Sequence, residues 1–128
     1  MSSKPIIAVT MGDPAGIGPE IVLKALADPM IKRVSRPLIL GDWGVLERTR
    51  RGQKNPPELI CFQTHQPLLP LLDHPTAHVV CSLSALTSRQ SRPAVSSKAG
   101  SHGAFSYIRV AAKLALAKVA DAIATAPI

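Results

Sequence analysis

Pro5-Ile-Ile-Ala-Val-Thr10 runs into Met11-Gly-Asp-Pro-Ala-Gly-Ile-Gly18, and Pro19-Glu20 follow at once. The β-branched run over residues 5–10 predicts a short buried strand. The glycine-rich stretch after it predicts a tight turn. Pro19 then fits the first position of a helix, where a missing N–H costs nothing. Glu20 in that first turn is favoured by the helix dipole. Ile21, Val22, Ala25 and Leu26 supply a helical apolar stripe, and Asp28-Pro29 ends it. Strand, glycine turn and helix in this order open a βαβ unit, so the stretch points to an α/β fold.

Outward from there, residues 37–41 predict a second strand. Asp42 can cap a helix over 43–51, with Trp43, Leu46 and Arg50 at helical spacing. Leu59 to Phe62 and Ala77 to Val80 read as two more strands. The passage between them, with Pro67, Pro70 and Pro75, reads as a surface connection. Residues 84–98, rich in Ser and Arg, predict a mobile loop. From Gly103 onward Ala104, Ile108, Ala111, Ala112, Ala115 and Val119 describe a long amphipathic helix, with Arg109 and Lys113 on its polar side. Asp121 to Ala126 predicts a short buried strand. Alternating strands and helices imply an open, mostly parallel sheet covered by helices on both faces, a three-layer arrangement.

Composition narrows the function. The 128 residues carry 15 Lys and Arg against 8 Asp and Glu, a net charge of +7. An apolar share of 46% excludes a disordered chain. No apolar run approaches the roughly 20 residues of a membrane span. The residues from Met1 show no signal-peptide pattern, so a soluble, cytoplasmic chain is expected. Cys61 and Cys81 are too few for a disulfide scaffold and are expected to behave as small apolar residues. The basic residues form only small clusters, at Arg48, Arg50, Arg51 and Lys54 and at Arg89, Arg92 and Lys98. Trp43, Phe62, Phe105 and Tyr107 follow no nucleic-acid-binding pattern, so neither nucleic acid nor membrane is an expected partner.

The turn carries the most chemical information. Gly12, Gly16 and Gly18 are spaced G-x-x-x-G-x-G, which is not the dinucleotide fingerprint. No Gly-Lys-Ser/Thr follows, so it is not a P-loop. Asp13 and Glu20 repel a phosphate placed on the turn; they suit a hydroxyl-bearing group or a cation. Two readings stay open: Asp13 satisfies backbone donors within the turn, or the turn faces a ligand. Among the histidines, His65, His74, His78 and His102, only His74 and His78 are four apart. Pro75 breaks any helix that would align them, and no metal site is predicted. Ser96, Ser97 and Ser101 lie in no nucleophile elbow. Thr125 ends the last predicted strand, at the edge where open α/β sheets bind ligands, although its hydroxyl can equally bond nearby backbone.

Met11-Gly-Asp-Pro-Ala-Gly-Ile-Gly-Pro-Glu20, with Lys24-Ala25 in the helix behind it, resembles the start of the 4-hydroxythreonine-4-phosphate dehydrogenase family. Gly100, Ala104, Tyr107, Ile108 and Ala111, and then Asp121-Ala-Ile-Ala-Thr-Ala-Pro-Ile128, resemble that family's later helix and strand end. The likeness covers roughly residues 5–28 and 98–128 and is weak between them. It implies an isopropylmalate dehydrogenase-like fold, with residues 1–128 as the N-terminal portion of a two-domain enzyme.

The implied activity is NAD-dependent, divalent-metal-dependent oxidation and decarboxylation of 4-phosphooxy-threonine or a related four-carbon hydroxy-acid phosphate. It serves pyridoxal phosphate biosynthesis or sugar-acid catabolism, in a homodimer. Hydride leaves a secondary alcohol for NAD, and a metal such as Zn, Mg or Co stabilises the enolate formed as CO2 departs. By the same resemblance Asp13, Gly16, Gly18 and Glu20 lie beside the cofactor and Thr125 beside the substrate. The family's metal-ligand histidines and its Asn/His-Lys pair have no counterpart here. No catalytic or metal-ligating residue is therefore assigned, and the chain alone is expected to be inactive. The competing expectation is a stand-alone small-molecule-binding or basic interaction module without catalysis.

Overall fold

The structure, a computed structural model, describes residues 3–128. Five strands and five helices follow one another along it, with two helices in succession between the first two strands. They are β1 (Ile6–Thr10), α1 (Gly18–Leu26), α2 (Pro29–Val34), β2 (Arg36–Asp42), α3 (Trp43–Arg51), β3 (Leu59–Cys61), α4 (Leu68–Leu72), β4 (His78–Ser84), α5 (Lys98–Leu116) and β5 (Ala122–Thr125). The strands form one sheet in the order β3-β4-β2-β1-β5, and every pairing is parallel. The α/β expectation holds, and the sheet is wholly parallel.

Register fixes the two faces. Ala8 pairs with Leu38 and Ile123, whereas Val9 pairs with Ile39 and Ala124. Because strand side chains alternate, Ile6, Ala8, Thr10, Leu38, Leu40 and Asp42 share one face. The other face holds Ile7, Val9, Pro37 and Ile39. α5 runs across the first face, packing on β4, β2, β1 and β5. α1 and α3 pack together beside the second. Met11, Leu23, Leu38, Ile39, Leu40, Leu46, Val79, Val80 and Tyr107 form the centre of the core.

Several local expectations change. α1 buries Val22, Leu23 and Leu26, while Ile21 and Ala25 of the predicted stripe are exposed. α2 follows at once, because Asp28 both ends α1 and accepts a 2.9 Å bond from Met30 N as the next N-cap. The Pro-rich connection contains a helical turn, α4. Pro70 is tolerated there because first-turn N–H groups need no helical partner. α5 begins at Lys98 rather than Gly103, capped by Ser97, whose Oγ accepts from Gly100 N at 2.9 Å.

The buried face of α5 is Gly100, Gly103, Ala104, Tyr107 and Ala111, and Ala112 is exposed. Val119 lies beyond the helix and is exposed. The expected loop at 84–98 is irregular but anchored, with Ala94 N donating to Ala15 O at 2.7 Å and Ser91 buried. β5 exists where predicted, yet all four of its residues are exposed, because it is an edge strand. No helix among the described residues is long and apolar enough to cross a membrane.

Candidate ligand cleft at the carboxyl edge of the sheet

The chain leaves β1 towards β2 on one side of the sheet and later places β5 on the other. The reversal falls between β1 and β5, and open α/β sheets bind ligands outside the carboxyl ends of the strands at such a point. The Met11–Gly18 loop and the end of β5 meet there. Ala126 N donates to Thr10 O at 3.0 Å, and Asp13 N donates to Pro127 O at 3.2 Å. At the far end of β5 the Asp121 carboxylate accepts from Ile6 N at 2.8 Å, and Asp121 N donates to Ile6 O at 2.8 Å. β5 is thus clamped to β1 at both ends.

The glycines of the loop have different reasons. Gly12 has φ +76, and a Cβ there would stand 2.3 Å from Pro127 O. A Cβ on Gly18 would stand 2.2 Å from Met11 O. Both are therefore required by the chain's own backbone. Gly16 has its nearest neighbour at 3.3 Å, the Asp13 Cβ, and is the least confined of the three. Asp13 Oδ1 accepts from Ala15 N at 2.9 Å, and Asp13 O accepts from Gly16 N at 3.0 Å. One of its carboxylate oxygens thus holds the turn, as the structural reading of the sequence has it.

Gly16 and Glu20 line a cleft of about 480 Å³ whose other walls include Arg48, Thr49, Gln53 and Ser91. Arg48 is held by a 2.8 Å bond from its Nη2 to Ser91 Oγ, and Gln53 Nε2 reaches Glu20 O at 3.2 Å. Glu20 is half-exposed and paired with Lys24 at 3.0 Å. Thr125 is exposed at the end of β5, in register with Thr10 and beside the loop rather than in this cleft.

The loop offers few free donors to an anion. Pro14 and Pro19 have no N–H, and Ala15 N and Gly16 N are taken within the turn. With two carboxylates at hand, this is a poor pyrophosphate cradle. Contact with a ribose hydroxyl or a cationic ring suits it better. Among the described residues no three His, Cys, Asp or Glu side chains converge as a metal site, so no step is derived through a metal on this chain.

Sequence reasoning missed the strongest polar cluster of the same edge. Asp42, almost wholly buried, caps α3 through a 3.0 Å bond from Val45 N. Its other oxygen accepts from Ser84 Oγ at 2.9 Å and Leu86 N at 2.7 Å. Ser84 Oγ lies 2.6 Å from the Tyr107 hydroxyl, tying α5 to β2 and β4. Burial pushes the Tyr107 pKa up to about 12, so it stays a neutral hydrogen-bonding group. Only the Asp42 cap was visible in sequence; Ser84 and Tyr107 carry no local signal.

The histidine pair does structural work. His74 Nδ1 accepts from Thr76 N and Ala77 N at 3.2 and 2.9 Å. His78 is buried with its Nε2 3.0 Å from Leu26 O, so it donates there. Burial, with Lys32 adding to it, lowers its pKa to about 4. Cys61 and Cys81 are free, half-buried thiols whose pKa values burial raises.

No protein-family model matches the chain. A 4-hydroxythreonine-4-phosphate dehydrogenase of Trichlorobacter lovleyi is 38% identical over 125 residues, 98% of this chain and 37% of that protein. A relative from Symbiobacterium thermophilum, provisionally named a D-threonate 4-phosphate dehydrogenase, is 39% identical over 134 aligned residues, covering 37% of its length. Among solved structures, a 4-hydroxythreonine-4-phosphate dehydrogenase from Burkholderia phymatum superposes with a TM-score of 0.82 at 28% identity. The match covers 97% of this chain and 36% of that one. One from Klebsiella pneumoniae gives 0.75 at 33% identity, covering 98% and 37%. In sequence and in fold the chain is therefore similar to 4-hydroxythreonine-4-phosphate dehydrogenases over nearly its whole length, and it spans a little over a third of the length of these relatives.

Proposed function

We propose that the chain forms the cofactor-side portion of an NAD- and divalent-metal-dependent dehydrogenase. Its substrate is 4-phosphooxy-threonine or a related four-carbon hydroxy-acid phosphate, oxidised and decarboxylated in the cytoplasm by a homodimer. The observation that carries the reading is the junction of the glycine loop with the end of β5 at the reversal point of a parallel sheet. The dehydrogenase names of the relatives support the reaction class.

Bound NAD would supply the hydride acceptor, and the chain's own residues bind and orient. Asp13 keeps the loop shaped with one carboxylate oxygen and has the other for a ribose hydroxyl. Gly16 leaves room for a flat group to approach the backbone. Glu20 lends negative charge at the helix start, which favours a cationic nicotinamide ring over a phosphate. Gly18 sets the helix close behind the loop. Thr125, exposed at the end of β5, is the hydroxyl offered to substrate. The metal ligands and catalytic groups belong to sequence that this chain does not match, and the chain alone is inactive.

Titrating nicotinamide riboside into the isotope-labelled chain should move the amide resonances of residues 13–20 more than those of α5. If those resonances stay still, the cofactor assignment fails. Reduction of NAD by the chain alone with a hydroxy-acid phosphate would overturn the claim of inactivity. A tight stoichiometric Zn²⁺ site in calorimetry would count equally against the assignment of the metal elsewhere.

A further inference from the structure

The cleft beside the glycine loop has two walls of opposite charge. Glu20 stands on one, at the start of α1, and Arg48 on the other, within α3. Glu20 already has a cation, Lys24, at 3.0 Å. Arg48 has no such counterpart, for among the described residues no carboxylate lies within 4.0 Å of it. Its neighbour Glu47 pairs with Arg50 instead, at 2.9 Å. The oxygens of the buried Asp42 are occupied by Val45 N, Ser84 Oγ and Leu86 N.

Arg48 is nonetheless held in place. Its Nη2 donates to Ser91 Oγ at 2.8 Å, and that hydroxyl gives its own hydrogen to Thr87 O at 2.9 Å. Ser91 is only 8% exposed, so a buried acceptor fixes one edge of an exposed guanidinium. Nη1 lies so close over Gly44 that a Cβ there would stand 3.2 Å from it. The segment carrying Ser91 is tied in turn to the glycine loop, through Ala94 N and Ala15 O at 2.7 Å. Gln53 Nε2 reaches across to Glu20 O at 3.2 Å. The two walls are thus set at a fixed spacing across about 480 Å³.

An arginine without a carboxylate, pre-set by a buried hydroxyl, is suited to receive a phosphate through paired N–H···O bonds. The glycine loop lacks that contact, because its N–H groups are absent at the prolines or engaged within the turn. Given the cofactor assignment above, on which this rests, we infer that Arg48 is the phosphate-binding residue of the cleft. It takes the ribose phosphate of a nicotinamide nucleotide whose cationic ring lies toward Glu20, and Ser91 positions it. A phosphate ester without a cationic ring satisfies one wall only.

Nicotinamide mononucleotide and nicotinamide riboside differ by that phosphate alone, so the pair tests the inference. Each is titrated at low salt into the isotope-labelled chain, with the amides of residues 13–20 and the Arg48 Nε–H as reporters. The mononucleotide should bind about tenfold more tightly, and it alone should shift the Arg48 signal. Arg48→Gln should abolish the advantage and leave riboside binding unchanged. Arg48→Lys, which keeps the charge without the planar fork, should retain part of it. Ser91→Ala should reduce the advantage without touching riboside binding, a selectivity that loosening of the fold would not produce. Comparing the two ligands on the unaltered chain stands even if a variant misfolds. Equal affinities there overturn the inference and leave the cofactor assignment standing. If neither ligand moves residues 13–20, the cofactor assignment itself fails and the inference with it. An Arg48 shift as large with D-threonate 4-phosphate as with the mononucleotide also overturns it, because the phosphate bound would then be the substrate's.

Discussion

Every residue from Pro37 to Asp42 is buried on the β2 side of β1, while on its other side all four residues of β5 are exposed. The two strands read alike, each a run of small or branched apolar residues ending at the carboxyl edge. β2 has β4 beside it, α5 on one face and α3 close by, and its terminal Asp42 satisfies three donors. β5 has one strand neighbour, β1, with which all four of its residues are in register, and further bonds clamp its two ends. Apolar pattern reports what a strand is built to contact, and this chain supplies those contacts on one flank only. The closed flank should therefore dominate stability, and the β5 flank should be soft.

The largest expected effect is at the closed flank. Asp42→Ala strips partners from Val45 N, Leu86 N and Ser84 Oγ, all at a buried junction. It should cost about 4 kcal/mol, the range for breaking a buried charged network. Urea unfolding of the variant measures it. A loss near that of a surface mutation would mean that the junction is not what closes the β2–β4 side.

Protonation probes the same flank from its other end. His78 opens β4 and is bonded to Leu26 O at the end of α1. Unfolded, it titrates near 6.5; folded, near 4. Between those values the unfolded chain binds the additional proton, so stability falls as pH drops from about 6.5 to about 4. The accumulated loss is about 3 kcal/mol. Below that window this group adds no further dependence. Denaturation curves at pH 7 and pH 4.5 should differ accordingly, and His78→Gln should flatten the difference.

The loop glycines were readable in sequence because a tight turn after a strand favours glycine, as were the Asp42 cap and the strand preceding Gly12, although the carbonyl that confines Gly12 belongs to Pro127 at the far end of the chain. Residues acting across the chain were not. Ser84 meets Asp42 across 42 positions and Tyr107 across 23, and nothing near Ser84 announces either partner. Gly103 reads as the start of the helix because glycine is a poor helix former, yet it lies inside α5, as does Gly100. At Gly103 a side chain would stand 2.9 Å from the Tyr107 hydroxyl, so close packing outweighs propensity there. The apolar stripe of α1 mixed two rows, and sequence alone does not say which of them the chain itself covers.

Gly18→Ala and Gly12→Ala turn the contrast into a difference measurement. Both introduce a methyl that clashes with a carbonyl oxygen at nearly the same distance. At Gly18 the oxygen belongs to Met11, fully buried and unable to yield. At Gly12 it belongs to Pro127, exposed beyond β5 and free to shift at the loss of the Asp13 bond. The strain of a positive φ adds to the Gly12 cost, yet Gly18→Ala should still be the worse by about 1 kcal/mol. The opposite order would mean that the end of β5 is as rigid as the core.

Ile123→Ala is the smallest test and the most direct probe of the open flank. Ile123 is 41% exposed on an edge strand, so the methyl groups removed already face solvent in part and leave little cavity. The expected cost is about 0.5 kcal/mol. The corresponding truncation of Ile39, fully buried in β2, should cost several times more, about 3 kcal/mol.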